Sequence, residues 1–90
     1  MHLLLFGTGC DSCRELAATI EEAIRRCEYT VTFEKTSDLH RMLSYGIQST
    51  PSVVLEGKLL SVGKKLTLEE VMAAFDTANA MKTNHPVLQL

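Results

Sequence analysis

Residues 2–6, His-Leu-Leu-Leu-Phe, form a nearly unbroken apolar run that Gly7 and Gly9 end before it is long enough for a helix. A run of that length and continuity suits a strand buried on both faces, and such a strand needs a covering layer on each side of its sheet. From Cys13 the pattern changes. Leu16, Ala17, Ile20, Ala23, Ile24 and Cys27 recur at three- and four-residue steps, the stripe of an amphipathic helix. Its opposite face pairs Glu21 with Arg25 and Glu22 with Arg26 at i,i+4 spacing. Residues 29–34 alternate and are rich in β-branched and aromatic side chains, which predicts a second strand. Strand, helix and strand make a βαβ unit with a parallel pair.

Thr36 or Ser37 is placed to cap a short helix with Leu39, Met42 and Leu43 turned inward and Gly46 as its left-handed stop. Residues 52–55 and 58–62 then read as two strands joined by Glu56-Gly57, close enough to a two-residue hairpin loop to make them antiparallel neighbours. Thr67 and Glu70 form a capping-box pattern ahead of Leu68, Val71, Met72, Phe75 and Ala78. The expected order is βαβαββα, an α/β fold whose four-stranded mixed sheet carries helices on both faces. With 90 residues, 46% of them hydrophobic, the chain can bury one core, assigned to residues 1–78. Residues 79–90 are expected to be a loosely docked tail, with an added edge strand or a dimer contact as the alternative.

The net charge of −2 comes without a basic stripe, so nucleic acid is not an expected partner. No stretch approaches the roughly 20 apolar residues of a membrane span, and the opening run lacks the basic lead and length of a signal peptide. A cytoplasmic monomer is the expectation. In that reducing compartment, three cysteines with two of them close together read as catalytic or metal-binding, not as a structural staple.

Cys10 and Cys13 bracket Asp11-Ser12 where the first strand meets the first helix. Helix N-terminal amides favour a thiolate, the nucleophilic form, while Asp11 opposes it. Three residues of helix are almost one turn, so the two sulfurs can approach each other. A lone CxxC nevertheless serves redox work and a zinc or copper half-site alike. Fourteen residues of helix put Cys27 about 21 Å from Cys13, too far to share a bridge or a metal, and it reads as a small buried hydrophobe. His2, His40 and His85 have no ligand spacing to the pair, and a closed zinc site needs four ligands.

The segments Gly7-Thr8-Gly9-Cys10-Asp11-Ser12-Cys13 and Tyr45-Gly46-Ile47-Gln48-Ser49-Thr50-Pro51 together resemble the small redox-active disulfide proteins of prokaryotes, compact members of the thioredoxin superfamily, over about residues 2–78. The resemblance implies a thiol-disulfide oxidoreductase with a thioredoxin-like fold. Cys10 is then the attacking thiol, Cys13 the resolving thiol, and Pro51 a cis proline facing them, with Thr50 offering backbone hydrogen bonds to an extended substrate. A protein disulfide substrate and an electron-donating reductase are the implied partners, with electron transport through the dithiol and no bound cofactor. The chain departs from thioredoxins in lacking Trp, in its Asp-Ser dipeptide, and in Leu4 where they place a buried Asp. The Gly-Gly-X-Asp-Asp glutathione signature of glutaredoxins is missing, with Gly63-Lys64-Lys65 in that region. Two readings stand beside the oxidoreductase: a CxxC metal carrier like small copper chaperones, whose strand order differs, and a redox-sensing module without turnover. Mass spectrometry of oxidised, alkylated protein is expected to find one bridge, linking Cys10 to Cys13, with Cys27 alkylated; a dominant bridge to Cys27 is the contrary result.

Overall fold

The computed structural model describes the backbone of residues 1–9 and 11–87 and the side chains of residues 1–9 and 11–80. Its elements follow the expected order: β1 (His2–Phe6), α1 (Asp11–Arg26), β2 (Thr32–Thr36), α2 (Leu39–Ser44), β3 (Ser52–Leu55), β4 (Lys58–Val62) and α3 (Leu68–Val87). The sheet order is β2-β1-β3-β4, parallel between β1 and β2 and antiparallel elsewhere. This is a thioredoxin-like mixed sheet. The continuous apolar runs occupy its centre, and Leu3, Leu4, Leu5, Phe6 and all of β3 are buried.

Alternation along β1 divides the core between two faces. Leu3 and Leu5, with their partners Leu55 and Val53, pack under α1 and α3 against Leu16, Ile20, Val71 and Phe75. Leu4, Phe6 and Val54 pack on the other face with Met42 and Ile47. Full burial of side chains of this size is worth roughly 1.5–3 kcal/mol each, which makes the central strands the main source of stability.

The local signals hold. Glu56 and Gly57 have φ of 52° and 78°, the positive pair that a two-residue hairpin loop requires. Thr67 and Glu70 cap reciprocally: Glu70 N donates to Thr67 Oγ1 at 3.2 Å and Thr67 N to Glu70 Oε1 at 3.0 Å. Lys64 beside that carboxylate, with the Thr67 amide, holds Glu70 below the usual carboxylate range.

Non-local packing corrects other expectations. β2 begins at Thr32, not Tyr29, because pairing with β1 sets its register: Thr32 N donates to Met1 O at 2.8 Å, and His2 faces Thr32. Tyr29 instead donates its hydroxyl to Asp76 Oδ1 of α3 at 2.7 Å. The cap of α2 is Asp38, whose carboxylate accepts from His40 N and Arg41 N, while Thr36 Oγ1 accepts from Asp38 N. A helix of six residues turns only Met42 inward; Leu39 and Leu43 are 64% and 61% exposed. On α1 the expected Glu22–Arg26 pair forms, and Arg25, expected to pair with Glu21, joins the same Glu22 carboxylate instead. α3 runs to Val87, so residues 79–87 continue the helix past the boundary placed at 78. Residues 88–90 lie outside the described residues. Among the described residues no helix is long and apolar enough to cross a membrane.

The exposure difference within α2 sets a test. Met42→Ala is expected to cost about 2–5 kcal/mol in urea unfolding, and Leu39→Ala to stay within about 0.5 kcal/mol of the parent. Equal losses at both positions would restore the inward assignment of Leu39.

Candidate active site

β1 ends at Phe6, and Gly7 carries its ladder one step further by donating to Thr36 O at 3.0 Å. Cys13, in the first turn of α1 and 4% exposed, lies directly over this glycine. A β-carbon on Gly7 would stand 3.0 Å from Cys13 Cβ and 3.1 Å from its Sγ, tighter than ordinary contact. Gly7 therefore leaves the space in which the thiol sits. Gly9, at φ 84°, makes the turn from strand to helix in a conformation that suits glycine. α1 begins at Asp11, immediately after Cys10 in sequence. Cys10 itself lies outside the described residues.

The other half of the site comes from β3. Phe6 pairs with Ser52 in antiparallel register, which sets Gly7 and Pro51 side by side at the same end of the sheet. The Thr50-Pro51 bond is cis and Pro51 is buried, while Thr50 is half-buried. The segment is held from two directions, since Pro51 O accepts from Gly63 N at 2.8 Å and Ser52 Oγ donates to Ser49 O at 2.5 Å. Cys13, Thr50 and Pro51 thus share one edge of the molecule.

Cys27 does not join them. It follows the far end of α1, where its Sγ donates to Ile24 O at 3.3 Å and Tyr29 O at 3.4 Å. His2 lies beside Glu34, 3.3 Å away, and the Arg41 guanidinium on that same carboxylate holds Glu34 below the usual range. The described residues contain no cluster of three or more His, Cys, Asp or Glu able to hold a metal.

Sequence reasoning missed the β2 side of the site. A cavity of about 380 Å³ opens next to Cys13, with Leu5 and Ala17 at its apolar base and Lys35 and Thr36 on its wall. The parallel β1–β2 pair was a usable signal, because parallel strands end at the same edge of a sheet and ligands gather at their carboxyl ends. Starting β2 three residues early hid it, since that frame ends the strand at Glu34, short of Lys35.

Comparison with known proteins agrees with the architecture. The thioredoxin domain family model matches residues 1–76. A thioredoxin of Methanothermobacter thermautotrophicus is 28% identical over 71 residues, covering 79% of this chain and 92% of that protein. With the fold, the placing of Cys13 and the match over residues 1–76 in agreement, the chain belongs to the thioredoxin domain family and carries, in general terms, its thiol-disulfide redox function.

Proposed function

We propose that the chain is a cytoplasmic, monomeric thiol-disulfide oxidoreductase that reduces a protein disulfide through Cys10 and Cys13 and is recharged by a reductase, without a bound cofactor. The observation that carries this reading is the seat of Cys13, buried over Gly7 at the sheet edge that also presents Thr50 and Pro51. A thiol so enclosed cannot meet a bulky partner first, which suits a resolving role.

In the first step the Cys10 thiolate attacks one sulfur of the partner disulfide, forming a mixed disulfide and expelling the other partner sulfur as a thiolate. In the second, the Cys13 thiolate attacks the Cys10 sulfur, breaking the mixed bond and releasing the second partner thiol. Two electrons have passed to the partner, and the Cys10–Cys13 disulfide remains for the reductase. Thr50 holds the substrate segment through backbone hydrogen bonds during both steps, an addition that gives affinity with little reading of sequence.

Cys13→Ser is expected to accumulate mixed disulfides through Cys10 on non-reducing gels of cell extract, and Cys10→Ser to trap little. Equal trapping by both would overturn the roles, and trapping by neither would favour the metal-carrier or redox-sensing readings. Gly7→Ala tests the seat. The added methyl has to displace Cys13 by a few tenths of an ångström, so decay of the mixed disulfide is expected to slow roughly severalfold while its formation stays unchanged. Stopped-flow measurement of the two phases separates these effects.

A further inference from the structure

The cavity on the β2 side of Cys13 has an asymmetric charge. Among the described residues its lining includes two cations, Arg14 and Lys35, and no carboxylate. Arg14 is engaged by the Asp11 carboxylate in the first turn of α1, which offsets both charges. Lys35 has no carboxylate partner among the described residues. Its ammonium lies 5.9 Å from the centroid of the Phe33 ring, a contact that steadies the side chain without neutralising it. Thr8, Thr36 and Ser37 add polar residues to the lining, the Thr36 hydroxyl being taken up by Asp38 N. In a chain of net charge −2, this lining presents a local positive charge next to the redox thiol.

We propose that Lys35 selects among partner disulfides, the cavity accepting an acidic side chain that flanks the target cysteine in an extended peptide segment. The inference rests on the oxidoreductase reading and names the substrate class for it. Strand spacing sets the reach. β2 lies two strand positions from β3 across β1, about 10 Å. An extended chain advances about 3.3 Å per residue, so a segment held at Thr50 with its disulfide over the end of β1 reaches the cavity within about three residues. A carboxylate there meets the Lys35 ammonium, while its methylenes lie against Leu5 and Ala17.

The test uses the reduced full chain in single turnover with two synthetic peptides. Each carries one disulfide, both have blocked termini, and they differ only in Glu or Lys two positions from the cysteine. The Glu peptide is expected to react about two- to fivefold faster at low ionic strength, the range of one partly exposed ion pair, and the preference shrinks at about 0.5 M salt. Lys35→Gln should bring the two rates together and Lys35→Glu should reverse them. Lys58→Gln, which removes an exposed lysine on β4, should keep the original preference. Equal rates with the parent protein, or a preference that survives Lys35→Glu, would overturn the proposal and leave the oxidoreductase reading standing. Failure to reduce either peptide would overturn both.

Discussion

The contact between Gly7 and Cys13 is the constraint on which the rest of the site depends. β1 and β3 are buried on both faces, so neither can present a reactive side chain from its middle. Chemistry is confined to the strand ends. There, α1 comes so close to the end of β1 that a β-carbon at Gly7 would stand 3.0 Å from that of Cys13. The close approach places the thiol against the backbone of Gly7, in the shelter of the sheet and at the edge of an open cavity.

Holding α1 that close takes a face of core residues. Leu16, Ile20 and Ala23 pack with Leu3, Leu5, Val53 and Phe75, while α3 lies alongside α1 on the same face. Lys65, just before α3, pairs with Glu15, just after Cys13, and so ties the two helices near the site. α2 covers the opposite face with little more than Met42 and Ile47, helped by the edge-on contact of Tyr45 with Phe6 at 5.8 Å. The division is functional in effect: the face that positions Cys13 has the larger core.

How far the sequence revealed this depended on whether the deciding contact was local. The Glu56-Gly57 turn and the Thr67–Glu70 box involve residues within three positions, and both were legible. The Thr50-Pro51 step is likewise a motif in itself, and its bond is cis, while Cys10, the first residue of the other motif, lies outside the described residues. The start of β2 was not legible, because Tyr29 and Val31 look like strand residues and only pairing with β1 moves the strand to Thr32–Thr36. That three-residue shift concealed Lys35 and the cavity beside Cys13. The inward face of α2 was illegible for a similar reason, since a helix of one and a half turns owes its orientation to Ile47 and the sheet more than to its own pattern.

The structure also refines where a proton can go when Cys13 reacts. Leu4, the position matched to the buried Asp of thioredoxins, faces α2 with Phe6 and Met42, on the side of the sheet away from α1. The β1 side chain that shares the cavity with Cys13 is Leu5, which is apolar as well. Among the described residues lining that cavity the charged side chains are the two cations Arg14 and Lys35. Asp11 stands outside it, paired with Arg14. In the proposed reaction, then, the described cavity wall offers Cys13 no carboxylate or imidazole, and the partner thiolate expelled in the first step is a base available for its proton.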